Sequence, residues 1–301
     1  MHFIYQHRQD HPIQLLCEAM NTARSAYYRW LAVAAAESTP AVVEDQPAED
    51  DRPTVSQCVT QLILERFHYH KRRYGTRRMV AELRDLGYRV SRKRVRATYR
   101  QFGLVALQPK CFVPRTTRVH PHRRRSPNLL LEAPPPQQPD RLWVGDITYL
   151  PMEDGSFCFL ASLQDGYSRT IVGYAVADHM REELTLAALN RALRWRRPKA
   201  GLIVHTDGGG QYSSIAFRNR LAQAGHLSSM TRRDNHYDNA QAESFFGRFK
   251  AELLPEGRRF RELADAEAEC FAFIEGYYNT ERRHSSIGYQ SPLNFEKQLT
   301  G

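Results

Sequence analysis

The chain predicts an α/β core behind an all-helical, strongly basic region. Between residues 142 and 177, three runs rich in β-branched and aromatic residues are joined by Asp154-Gly155 and Asp165-Gly166, favoured pairs for tight hairpins. From residue 181 a helical period and short apolar runs alternate, as they do where helices cross over between strands. Residues 55–104 carry three helical patterns.

Length and charge bound the rest. At 301 residues the chain has room for two or three folded units. It is 42% hydrophobic, with no run of eighteen apolar residues, so neither a membrane span nor a signal peptide is expected. Five scattered cysteines suit reduced thiols. The net charge of +10 is uneven: 18 Lys and Arg against Glu82 and Asp85 lie between Lys71 and Arg125, which leaves the remainder mildly acidic. A basic block with helical pattern and its own apolar residues is a footprint for nucleic acid rather than a merely solvated face.

Residues 1–32 read as a helical hairpin split at Asn21-Thr22, and residues 33–54, rich in Ala, Pro, Glu and Asp, as an acidic linker. Residues 55–104 read as a basic helix-turn-helix-like DNA-binding domain. Its helices are Val55–His70, Thr76–Leu86, and Arg92–Phe102, the last capped by Ser91 and stopped by Gly103. The third helix presents Arg92, Lys93, Arg94, Arg96 and Arg100, with Val95, Tyr99 and Phe102 available for its inward face. Such cations mostly grip phosphate, with one or two reading bases. His68, His70, Cys111, His120 and His122 lack the spacing of a zinc site. Residues 105–140, basic and then proline-rich, read as an extended linker that either tracks DNA or serves as a spacer.

The core spans residues 141–255. Strands at 142–149, 157–164 and 170–177 are followed by a helix at about 181–196, a strand at 201–206, a helix at 214–224, a strand at 227–230 and a helix bearing Glu243. That order is ribonuclease H-like, and it makes Asp154 and Asp165 turn residues. Residues 256–301 hold a helix at 259–280 and the basic tail Arg282-Arg283-His284, which reads as helix termination and surface charge or as a DNA contact.

Three carboxylates stand out. Asp146 interrupts an apolar strand, where an unpaired carboxylate is costly. Asp207 ends Leu202–Thr206 and precedes three glycines, which let a ligand approach the backbone. Glu243 falls in the first turns of a helix capped by Asp238 or Asn239. Ala242, Phe245, Phe246, Phe249 and Leu253 form that helix's apolar face, while Glu243, Gly247 and Lys250 share a neighbouring stripe. Three carboxylates at strand ends and a helix start suit two-metal phosphoryl transfer, with one ion activating the attacking oxygen and the other stabilising the leaving one. His205 reads as a packed strand-end residue.

The three acids, the 35 residues between Asp207 and Glu243, Lys250, His205-Thr206-Asp207-Gly208 and Tyr237-Asp238-Asn239-Ala240 resemble the DDE transposase and retroviral-integrase superfamily. Within it the chain is most similar to the second-reading-frame (orfB) transposases of bacterial insertion sequences. Tyr74–Arg78, Tyr277-Tyr278-Asn279, Arg283–Ser286 and Ser291-Pro292 extend the likeness. It departs from the pattern at Gly145, at Gly209, where an arginine is expected, and at Gly210, where a serine is. The resemblance implies metal-dependent strand cleavage and 3′-OH strand transfer. It assigns Asp146, Asp207 and Glu243 to two Mg²⁺ or Mn²⁺ ions and Lys250 to a phosphate. It also implies a cytoplasmic, DNA-associated bacterial protein with DNA as partner, a homo-oligomeric DNA complex, and a first-reading-frame partner or fusion that supplies end specificity. A catalytically silent DNA-binding regulator and a structure-selective nuclease of the same fold are the alternatives.

Overall fold

The computed structural model describes residues 55–109, 125–232 and 236–300, with isolated positions before residue 28. The chain divides into two compact units, Met1–Pro53 and Thr54–Gly301. In the first, Ile4, Cys17 and Tyr27 are buried on one another. The rest of the expected hairpin, the acidic linker and residues 110–124 lie outside the described residues.

The second unit begins with α1 (Val55–Tyr69), α2 (Thr76–Asp85) and α3 (Arg92–Gln101). Ser91 caps α3, its Oγ accepting from the Arg94 N–H at 3.2 Å. Val95, Thr98 and Tyr99 form the inward face of α3. Phe102 does not join them. It follows the last helical residue, where the backbone has left the helical path, and is 44% exposed; Thr98 takes the inward position instead.

The sheet runs β3 (Ile171–Ala177), β2 (Phe157–Asp165), β1 (Leu142–Pro151), β4 (Ile203–Thr206), β5 (Leu227–Met230). The first three strands pair antiparallel, and β4 and β5 run parallel to β1. Period-two alternation divides the sheet residues between its faces. Trp143, Leu163 and Val172 pack with α4 (Glu182–Arg196) and α5 (Ile215–Gln223). Leu150, Cys158 and Leu160 pack on the other face with α6 (Ala240–Leu253) and α7 (Leu263–Phe273). Gly173 permits the close approach of α4, since a Cβ there would meet the Ala188 carbonyl and Ala192.

The helical domain is not a separate body. Ile63, Phe67, Met79, Leu83 and Val95 belong to the same buried cluster as Phe245, Phe249 and Phe273. The C-terminal segment closes this junction, so Arg282 and Arg283 of its basic tail are not the free surface charge that one reading expected. Arg282 is 1% exposed and donates from Nε and Nη2 to Glu252 of α6 at 2.7 and 2.6 Å. Arg283 donates to Glu82 of α2 at 2.7 Å and also pairs with Asp85. The helix expected at 259–280 begins at Leu263 and ends in a π turn, Ile274–Tyr278, whose extra residue lets both Tyr277 and Tyr278 point inward. A last helix, α8 (Pro292–Thr300), was not anticipated, although Ser291-Pro292 is a helix-start pattern.

Truncating one partner of the Arg282–Glu252 pair strands a buried charge. Arg282→Ala should cost about 3–5 kcal/mol in urea unfolding, whereas Arg282→Met with Glu252→Leu should recover most of the loss. An Arg282→Ala protein as stable as the parent would contradict this role.

Candidate active site

Register brings the two aspartates together. β1 and β4 pair in parallel as far as Gly145 and Thr206, and Asp146 and Asp207 follow as neighbours one residue beyond. Alternation with Leu150 places Asp146 on the face that α6 covers. Gly145 leaves room for its neighbours: a Cβ there would meet Leu163 Cδ2 at 2.7 Å and Thr206 Cγ2 at 3.2 Å, so those side chains would have to shift.

Both aspartates are half-buried. Asp146 accepts from the Ile147 N–H at 2.8 Å, and Asp207 from the Gly209 N–H at 3.1 Å. Burial above all, and then the charge of Asp207, pushes the Asp146 carboxyl up to about 8; Glu243 adds to the rise, against the Ile147 N–H and Lys250. Burial likewise raises Asp207, opposed by the Gly209 N–H and by Arg125. Tyr212 lies buried nearby, with no hydrogen-bond partner for its hydroxyl among the described residues. Burial and both aspartates hold its proton firmly.

Arg125 was read only as part of a basic linker. Its guanidinium occupies the space that a Cβ on Gly208 would need, and it donates to the Thr231 carbonyl at 2.6 Å. A cation thus reaches Asp207 from outside the Gly208–Gly210 loop, where the resemblance expects one from within it. The following residues line β5: Ser126 Oγ donates to Ser228 Oγ at 3.0 Å, and the Leu129 N–H to Ser229 Oγ at 2.9 Å. This part of the 105–140 stretch is held against the sheet.

α6 supplies the remaining groups. Its apolar residues Ala242, Phe245, Phe246, Phe249 and Leu253 are buried, and Lys250 is half-buried. Lys250 Nζ sits 4.0 Å from the centre of the Tyr149 ring, a cation–π seat. Burial lowers the pKa of Lys250, and the charge of Asp146 opposes that shift. Glu243 is exposed, one turn into the helix. It reaches Asp146 through its charge, and no three His, Cys, Asp or Glu side chains among the described residues close into a ready ligand group. The expected cap is not made: Asp238 pairs with Arg232, and Asn239 Nδ2 donates to the Gly145 carbonyl at 3.4 Å, tying the start of α6 to β1. Nothing in the sequence pattern distinguished that tie from a cap.

The other candidates have structural partners. His205 is buried with Nδ1 2.8 Å from Ser229 Oγ, and burial lowers its pKa. Asp165 accepts from the Asp140, Tyr167 and Ser168 N–H groups, and Asp154 from Ser156, so both serve their turns. His70 stacks on Tyr74 at 3.7 Å. On α3, Arg92 and Arg94 donate to Thr76 and Thr60, and all five cations are exposed.

Sheet order and site define an integrase-core protein with a helix-turn-helix region ahead of it. Residues 136–236 and 225–292 match two models described as integrase core domain, and residues 56–112 match an HTH-like domain. The transposase for insertion sequence element IS904 of Lactococcus lactis is 38% identical over 82% of this chain and 98% of that protein. The uncharacterized 31 kDa protein of insertion element IS600 from Shigella sonnei is 36% identical over 94% and 98%. Transposase InsF for insertion sequence IS3A of Escherichia coli K12 is 35% identical over 98% of each chain. The chain belongs to the insertion-sequence transposases. Among solved structures, the HTLV-2 integrase catalytic core domain in complex with magnesium overlaps 53% of this chain and 98% of that one, at 13% identity and a TM-score of 0.40.

The raised Asp146 carboxyl gives a signed pH dependence. Between the ordinary value of 3.8 and about 8, the folded chain keeps a proton that the unfolded chain has released. Raising the pH through that window therefore favours unfolding. In metal-free buffer, urea midpoints of the parent should fall relative to those of Asp146→Asn between pH 5 and 8; parallel profiles would refute the assignment.

Proposed function

We propose that this chain is the DNA strand transferase of an insertion sequence, cleaving DNA at the element's ends and joining the freed 3′-OH to a target. The observation that carries the reading is the pair Asp146, midway along β1, and Asp207, just past the end of the parallel strand β4, neighbours with both carboxyls raised. Like charges held together in a half-buried site call for a cation, and an all-oxygen donor set suits Mg²⁺ or Mn²⁺ rather than a softer metal. Bound there, two such ions would supply activation of the attacking oxygen and stabilisation of the leaving one.

The chain's own residues do the rest. Asp146 and Asp207 hold the ions from the sheet, and Glu243 completes the set from α6. Lys250, propped on Tyr149, meets a phosphate oxygen beside the reacting group. Tyr212, buried within electrostatic reach of both aspartates, stays protonated beside them. The exposed cations of α3 grip DNA phosphates, Arg92 and Arg94 from anchored positions. The working complex is a homo-oligomer on DNA, and a first-reading-frame partner or fusion supplies recognition of the terminal repeats. No helix of the described residues is long and apolar enough to cross a membrane.

A strand-transfer assay with labelled terminal-repeat DNA tests the reading. Joined product should require Mg²⁺ or Mn²⁺ and fall more than about 100-fold in Asp207→Asn and in Glu243→Gln, with DNA binding retained. Full joining by Glu243→Gln would remove that residue from the site, and cleavage without joining would favour a nuclease. In the absence of a partner, the chain should bind its terminal repeats and random duplex with affinities within about tenfold; tight, sequence-specific binding by the chain alone would overturn the partner assignment.

A further inference from the structure

One cluster of cations lies outside the site described above. His284, in the C-terminal segment, stands within electrostatic reach of Arg282, Arg169, Arg78 and Arg248. These come from four places in the fold: the C-terminal segment itself, the β2–β3 turn, α2 and α6. The acids nearby do not balance them. Glu252 is spent on Arg282, with Arg78 3.6 Å away, and Asp165 is spent on backbone N–H groups of its own turn and Asp140. Arg169 and Arg248 make no side-chain hydrogen bond or ion pair among the described residues, and Arg169 Nε and Arg282 Nη1 are buried without an acceptor.

Two guanidinium nitrogens, Arg169 Nε and Arg282 Nη1, are thus withdrawn from water without an acceptor, which is costly and is relieved by an anion, while Arg248 stands exposed beside them on α6. Planar N–H forks match phosphate oxygens in particular. His284 carries no competing charge: burial and the surrounding arginines push its pKa down to about 3. Its Nδ1 lies 3.0 Å from Ser286 Oγ. Arg169 and Ser286 also line an open cavity with Tyr167, Gly288 and Gln290, so solvent reaches the cluster on its Arg169 side, and Arg248 is exposed on the α6 side.

Its position relative to α6 identifies the anion. Glu243, Gly247 and Lys250 follow one stripe of that helix, while Ser244, Arg248 and Glu252 follow another. The two stripes are separated by no more than a helix diameter, about 10 Å. A nucleic-acid strand carries a charge about every 3.4 Å along its axis and spans both.

We propose that Arg169 and Arg248, backed by Arg282 and Arg78, form a seat for a backbone phosphate of DNA at the junction of the helical domain, α6 and the C-terminal segment. The seat extends the strand-transferase reading by fixing where the strand runs beyond the acids. Its test, however, does not depend on catalysis.

The test is fluorescence anisotropy of a labelled duplex with the full chain, over a salt series starting near 50 mM. Arg169→Gln with Arg248→Gln should weaken binding about tenfold and flatten the slope of log affinity against log salt by about 1–2. Arg248→Gln alone, at an exposed position, should give about half that change in slope and keeps the test valid if Arg169 proves necessary for folding. A control pair, Arg194→Gln with Lys199→Gln, removes the same charge at the end of α4, across the sheet, and should leave the slope unchanged. A failure of the catalytic assignment would be seen separately, in strand transfer by Asp207→Asn and Glu243→Gln. A parental affinity and slope in both Arg248→Gln and the Arg169/Arg248 double variant, or an equal loss in the control pair, would overturn the seat.

Discussion

The buried pair of Arg282 and Glu252 is the constraint on which the rest of the structure depends. α6 carries Glu243 on its exposed flank and the half-buried Lys250, yet its contacts with the sheet are mostly those of aromatic side chains, which tolerate sliding. A bidentate pair that is nearly fully buried does not tolerate it, because any shift leaves a charge without its partner. At its other end the helix is tied to β1 by Asn239. The next residue of the tail, Arg283, reaches α2. Two adjacent arginines therefore couple the DNA-binding helices to the helix that serves the site.

Much of this was legible in the sequence. β5 lies at the expected residues, and β1, β2, β3, α4 and α5 within a residue or two, because turn pairs and β-branched runs are local signals. The apolar face of α6 was legible from spacing alone. What was hidden depends on residues far apart in the chain. Arg282 and Glu252 are separated by 30 positions, and a basic tail looks the same whether it meets solvent or a buried glutamate. Arg125 lies in a low-signal stretch, and only the folded β5 edge brings it to Asp207. Phe102 reads as core by period, but it follows the last helical residue, where the period no longer applies.

Electrostatics as well as geometry shape the pair of aspartates. The sheet holds two carboxylates close and dry: burial raises both, and the charge of Asp207 raises Asp146 further. Glycines beside them answer steric demands: Gly145 yields to Leu163 and Thr206, and Gly208 to Arg125. Glu243 stays on the exposed flank of α6, a helix held at one end by Asn239 and at the other by Arg282.

The most direct test is a crystal structure of the full chain grown with Mn²⁺ and examined by anomalous diffraction. The account predicts anomalous density between Asp146 and Asp207, with carboxylate oxygens at about 2.0–2.2 Å and the Glu243 carboxylate drawn in as a ligand. Density elsewhere in the molecule, or density at the two aspartates with Glu243 still turned to solvent, would contradict it.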